Sequence, residues 1–283
     1  MTQNLILQGL SVDRGAIEEL ASLVQVASVH AITPLIYRCE DAQIDAACKA
    51  KLTQRAFELG LDYALVDSDH TLSDFKLVAM DMDSTLITIE CIDEIADMHG
   101  LKPQVAAITE ATMRGEIAFS DSLSRRVALL KGLDADALQR VYDERLQLSL
   151  GAEKMLNGIK AAGIKTLLVS GGFTFFTDRI KQRLGLDYSH ANQLEIRDGK
   201  LTGRVLGGIV DGQEKKHTVE RVCKELGISP HQAIVIGDGA NDLQMMKLAG
   251  LSIAFRAKPV VREQADIAFN FVGLDGVLHL FPL

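Results

Sequence analysis

Short apolar runs ending in polar residues alternate with helically spaced stretches along most of this chain. In Lys76-Leu-Val-Ala-Met80 the apolar residues after the lysine have the length of a buried strand. Ile164–Val169 and Ala233–Ile236 read the same way, and Leu251–Phe255 is a further strand. Between them, Gly151–Ala162, the stretch from Gly172 to Leu184, and Glu214–Leu226 carry helical spacing. Leu194–Val205 reads as a hairpin turning at Asp198-Gly199, and one more α/β pair completes the chain. This alternation predicts an α/β fold with a doubly wound, mostly parallel, Rossmann-like sheet.

Two regions depart from it. Residues 1–74 predict a small α/β unit of their own. A strand over Asn4–Leu10 leads to a helix capped by Ser11, and Ser28–Tyr37 is split into two strands by Pro34. A second helix over Ala42–Leu59 closes at Gly60, and Asp62–Val66 is the last strand. That order suggests a ferredoxin-like or amino-acid-sensing (ACT-like) fold, with the polar stretch Asp67–Asp74 as linker. The other departure lies at about 90–150, where amphipathic helices follow one another without a strand. So much helix between two strands exceeds an ordinary crossover and predicts an inserted helical cap within a domain spanning 75–283.

Composition narrows the classes. Hydrophobic residues make up 47% and charged residues 24% of the 283 positions, as in a soluble globular protein. The net charge of −8 argues against a nucleic-acid partner, and no apolar stretch spans a bilayer. Cys39, Cys48, Cys91 and Cys223 have no zinc spacing, so free thiols in a reducing cytoplasm are expected. No signal peptide is evident at the N-terminus.

Candidate chemistry sits where the predicted strands end. Asp81 and Asp83 follow the Leu77–Met80 run and point to the same side of an extended chain. Two like charges there repel each other, and a divalent cation is the simplest neutraliser. Ser170-Gly-Gly172 between strand and helix reads either as a tight turn with Ser170 as N-cap or as a phosphate seat at a helix N-terminus. Gly237-Asp-Gly-Ala-Asn-Asp242 combines glycines with hard oxygen ligands suited to Mg²⁺. Sites in open α/β sheets form at the carboxyl ends of strands, so the three stretches are expected to meet.

As a set, these motifs resemble the haloacid dehalogenase superfamily. Glu90, the Arg125-Arg126-Val-Ala-Leu-Leu-Lys131 run, Val169-Ser-Gly-Gly-Phe173 and Ala257-Lys-Pro259 are similar to its phosphoserine phosphatase family, over about residues 75–283. The resemblance implies Asp81 as the nucleophile forming an aspartyl-phosphate and Asp83 as the general acid and base. It implies Mg²⁺ held by Asp81, the Asp83 backbone carbonyl and Asp238. Ser170 and a lysine would bind the phosphoryl oxygens. Counting back from Gly227-Ile228 favours Lys215 over Lys216 in the family pattern. Glu90 would take the ammonium of a small substrate, O-phosphoserine, and Arg126 its carboxylate. Met113 and Phe119 would cover the substrate, with Gly171 and Asn241 as further contacts. The reaction would be the last step of serine biosynthesis. Family enzymes carry extra domains such as 1–74 for regulation or dimerisation, so a homodimer through that segment is expected.

Arg126 borders the apolar stripe of Leu123, Val127 and Leu130, whereas Arg125 points away. Two alternatives remain: another small-molecule phosphatase of the superfamily, and a phospho-accepting signalling receiver module. Glu90 and Arg126 discriminate the first, and the helical insertion weighs against the second.

Overall fold

The computed structural model describes residues 2–282, the side chain of Met113 excepted. The chain opens with β1 (Gln3–Gln8), α1 (Arg14–Ser22), β2 (Ser28–Thr33), β3 (Ile36–Ala42), α2 (Ala46–Glu58) and β4 (Asp62–Asp67). These strands form an antiparallel sheet of order β2-β3-β1-β4, a ferredoxin-like arrangement. Period-two alternation gives the sheet two apolar faces. Leu5 and Leu7 pack with Ile17, Leu20 and Leu52 of the helices, whereas Ile6 turns the other way and joins Ala64, Val66 and Phe75 in the central core.

Two expected boundaries are corrected here. Ser11 does not cap α1: the helix starts at Arg14, and the Asp13 side chain accepts the Gly15 N–H at 3.3 Å. The second helix does not start at Ala42, because β3 continues to that residue in register with Gln3. Asp45 caps α2 instead, accepting the Cys48 N–H at 2.7 Å. The break at Pro34 falls between β2 and β3 as expected, since proline cannot donate to a ladder.

The larger sheet starts with β5 (Leu77–Met80). Four helices follow: α3 (Cys91–Asp97), α4 (Lys102–Met113), α5 (Phe119–Leu129) and α6 (Asp136–Glu144). Then come α7 (Ala152–Ala161), β6 (Lys165–Phe173), α8 (Thr174–Leu184), β7 (Tyr188–Arg197) and β8 (Lys200–Leu206). The chain ends through α9 (Gly212–Leu226), β9 (Ala233–Gly237), α10 (Leu243–Met246), β10 (Leu251–Phe255), α11 (Pro259–Arg262) and β11 (Ile267–Phe269). The strand order is β11-β10-β9-β5-β6-β7-β8, parallel except for the β7–β8 hairpin. Asp198 and Gly199 both take positive φ, 50° and 74°, as a two-residue hairpin turn demands. β5 lies between β6 and β9, so the carboxyl ends of the strands leading to Asp81, Ser170 and Asp238 are neighbours. No helix among the described residues is long and apolar enough to cross a membrane.

Besides the apolar contacts of the central core, one buried carboxylate ties the two sheets together. Asp62, at the start of β4, accepts the backbone N–H groups of Asn270, Phe271 and Val272 at 2.8–2.9 Å. The Asn270 side chain adds a fourth bond at 3.2 Å. Asp62→Ala removes the acceptor of three amides at once, and buried donors left unmade are costly. The expected result is a loss of about 3 kcal/mol in urea unfolding. A loss below about 1 kcal/mol would mean that water replaces the carboxylate without penalty.

Candidate active site

β5 ends directly in Asp81, whose N–H donates to the Ile236 carbonyl of β9 at 3.0 Å. The side chain is fixed through one oxygen. Asp81 Oδ1 accepts the Met82 N–H at 2.7 Å and the Lys215 ammonium at 2.8 Å. Lys215 is fully buried in α9 and also reaches Asp242 Oδ1 at 2.7 Å. Asp242 Oδ2 in turn accepts the Gly239 N–H at 3.0 Å. Asp238 Oδ1 accepts from Thr85 Oγ1 at 3.1 Å. Lys216, the adjacent lysine, pairs along the helix surface with Glu220.

Asp83 lies beside the β6 end. A Cβ on Gly172 would stand 2.6 Å from Asp83 Oδ2, so only glycine permits this approach. Burial, reinforced by the Glu90 charge, pushes the Asp83 carboxyl up to about 7. Glu90 caps α3 without spending its side chain on the helix, and its Oε1 accepts from Ser84 Oγ at 2.7 Å. Arg126 projects from α5 with its Nε buried and without a hydrogen-bond partner. Burial lowers its pKa, and the charges of Asp93, Glu90 and Asp83 oppose that shift. The Phe119 ring lies over Gly171, its Cζ 2.9 Å from where a Cβ would stand. Asn241 lies in the turn after β9, its carbonyl against Gly212 at the start of α9. Met113 ends α4, and its side chain lies outside the described residues.

Ser170 requires a correction. It is neither an N-cap nor part of a helix N-terminus, because β6 runs on through Ser170-Gly-Gly to Phe173 and α8 starts at Thr174. The pairing with β7 shifts between Val169 and Phe173, an irregularity that re-aims the strand end. Ser170 Oγ accepts the Gly172 N–H at 2.8 Å, closing a local loop of side chain and backbone.

Three further residues belong to this arrangement. Asp242 is one, since the fully buried Lys215 needs it as a second counter-charge. Its place in the Gly237–Asp242 motif was the available signal. Thr85 is another, through Asp238. The third is Asn192, buried midway along β7, which donates to the Gly171 carbonyl and accepts the Val210 N–H, both at 2.8 Å. It ties the Ser170 loop to the segment leading into Lys215. Nothing in the sequence around it signals that role.

Asp81, Asp238 and Asp242 bring carboxylate oxygens within 4.8 Å of one another. Burial and the Asp242 charge raise the pKa of Asp81, and the same two causes push Asp238 up to about 7. Such shifts mark carboxylates short of positive charge, and hard oxygen donors suit a divalent cation. Both Asp242 oxygens are already engaged, which leaves Asp81 and Asp238 as the better side-chain ligands.

The chain has recognisable relatives. The model of the haloacid dehalogenase-like hydrolases matches residues 75–250. A phosphoserine phosphatase of Polaromonas is 58% identical over 226 residues, covering 78% of this chain and 96% of the relative. A haloacid dehalogenase family hydrolase from Salmonella enterica superposes with a TM-score of 0.89 at 32% identity, over 99% of this chain and 98% of that one. A phosphoserine phosphatase solved as an analogue of its phospho-aspartyl intermediate matches with a TM-score of 0.69 at 41% identity, over 74% of this chain and 99% of that one.

Proposed function

The chain belongs to the phosphoserine phosphatases, a family of haloacid dehalogenase-like hydrolases, and on that premise we propose that it hydrolyses O-phospho-L-serine to L-serine and phosphate. The observation that carries the substrate reading is Arg126. Its Nε is buried without a hydrogen-bond partner although the charges of Asp93, Glu90 and Asp83 reach it, so a donor is left for an acceptor brought by the substrate. The substrate carboxylate is that acceptor, and Glu90 faces the ammonium.

Asp81 attacks phosphorus to form an aspartyl-phosphate as the bond to the serine oxygen breaks. Asp83 gives its proton to that leaving oxygen, then takes one from the water that cleaves the acyl phosphate. A carboxyl held at about 7 is suited to both tasks near neutrality. Ser170, Gly171 and Lys215 receive the transferring phosphoryl group, Asn241 contacts the substrate, and Phe119 covers it. Mg²⁺ would be held by Asp81, Asp238 and the Asp83 backbone carbonyl, and when bound it offsets the carboxylate charge and draws the phosphate toward an anionic nucleophile. We assign residues 75–283 to the phosphatase domain, with its cap at about 90–150, and 1–74 to a regulatory or dimerising domain with its own small core. A cytoplasmic role in serine biosynthesis follows from this reading.

A phosphate-release assay across phosphomonoesters, with Mg²⁺ and with a chelator, tests the proposal. Chelation is expected to stop release from every ester. Arg126→Ala should lower kcat/KM for phosphoserine by about 100-fold, the worth of a charged hydrogen-bond pair. Its effect on phosphoethanolamine, which lacks the carboxylate, should be much smaller. Equal losses on both esters would move the reading to another small-molecule phosphatase of the superfamily.

A further inference from the structure

Glu90 is held by a neighbour with an unusual backbone. Ser84, between Asp83 and Thr85, takes φ 54° and ψ 2°, the left-handed region that L residues with a Cβ seldom occupy. Its N–H donates to the Ile89 carbonyl at 3.2 Å, closing the loop that runs from the β5 end to α3. Its hydroxyl donates to Glu90 Oε1 at 2.7 Å. Among the described residues no Lys or Arg forms an ion pair with Glu90, although the charges of Lys258 and Arg126 act on it from farther away, and its side chain does not bond to the helix it caps. The Ser84 hydroxyl is therefore its direct anchor, and the strained turn directs that hydroxyl toward it. Strain of this kind persists where the surrounding structure enforces it.

We propose that Ser84 is a positioning residue for amine selectivity: it occupies one oxygen of Glu90 and orients the other toward the ammonium of the substrate. This rests on the reading of Glu90 as the ammonium site. A hydroxyl suits the task because it donates one bond and carries no charge. The Glu90 carboxylate is thereby fixed in place, and the donated bond favours its charged form against the burial that disfavours it. A cation in the same place would neutralise it.

The test compares phosphoserine with phosphooxypropanoate, which keeps phosphate and carboxylate and lacks the amine. Ser84→Gly removes the hydroxyl and suits the positive φ, so its melting temperature should not fall. Its kcat/KM preference for phosphoserine over the amine-free ester is expected to drop by about tenfold, mostly through KM for phosphoserine. Ser84→Ala, which removes the hydroxyl and keeps the strained conformation, should show the same drop. An unchanged preference in both variants, or equal losses on both esters, would overturn the proposal. Glu90→Gln separates the two claims. If it lowers the preference and the Ser84 variants do not, only the role of Ser84 falls. If Glu90→Gln leaves the preference intact, the ammonium site itself is wrong.

Discussion

Asp81→Asn is expected to reduce phosphate release by on the order of 10⁴-fold or more, the scale on which removing a covalent nucleophile acts. Asparagine has nearly the shape of aspartate, and its amide oxygen can keep the bonds that Oδ1 makes to Met82 and Lys215. The substitution therefore removes the nucleophile while leaving the site assembled. Its stability should move the other way. Burial and the Asp242 charge disfavour the ionised form of Asp81, so a neutral amide relieves repulsion in the absence of divalent cation. The bond to Lys215 weakens, but Asp242 still holds the ammonium. The variant should melt no lower than the parent in chelator and gain less from added Mg²⁺. Turnover within tenfold of the parent, in a preparation free of deamidated protein, would exclude Asp81 as nucleophile.

The difference between what the sequence displayed and what it hid follows from the range of the interactions. β5, β6 and β9 were legible because strands buried on both faces read as unbroken apolar runs. The rule that sites form at strand ends then brought Asp81, Ser170 and Asp238 together. Element order suggested the fold type of the first sheet but not the order of its strands, and the excess of helix before Gly151 suggested the cap. Boundaries were less secure wherever two polar residues competed for one role. Asp13 caps α1 in place of Ser11 because it lies nearer to where helical backbone begins. The Ser170 segment allows a tight turn or a helix N-terminus by its local residues alone, but pairing with β7 extends the strand through it. Long-range polar contacts gave no local signal. Asp62 meets Asn270 across 208 positions, and Asn192 looks like any strand asparagine until Gly171 and Val210 are placed beside it. The hydroxyl of Ser84 reaches only six residues, to Glu90, yet it depends on a backbone conformation that serine rarely adopts.

Lys215→Met should destabilise the protein and stop turnover together, for reasons that can be separated. The ammonium is fully buried between Asp81 Oδ1 and Asp242 Oδ1, at 2.8 and 2.7 Å. Burial alone would pull its pKa down, but Asp242 and Asp81 outweigh that and hold it protonated. Methionine nearly fills the volume and leaves two buried carboxylates facing each other. Breaking a buried pair from one side costs about 3–5 kcal/mol. Loss of the positive charge opposite the phosphoryl oxygens should also lower kcat by about 10³-fold. Lys215→Arg is not a mild control here, because a planar fork does not fit a fully enclosed site. The informative partner is Asp242→Asn. In Lys215→Met/Asp242→Asn one of the stranded charges is gone, so much of the stability should return, giving a favourable coupling of about 1–3 kcal/mol. Activity should stay lost, because the double variant still has no cation at the phosphoryl position. Urea unfolding and kcat measured on the same four proteins test both halves. Recovery of turnover along with stability would show that Lys215 serves only to hold the fold. Turnover in the single variant within tenfold of the parent would remove it from the reaction altogether.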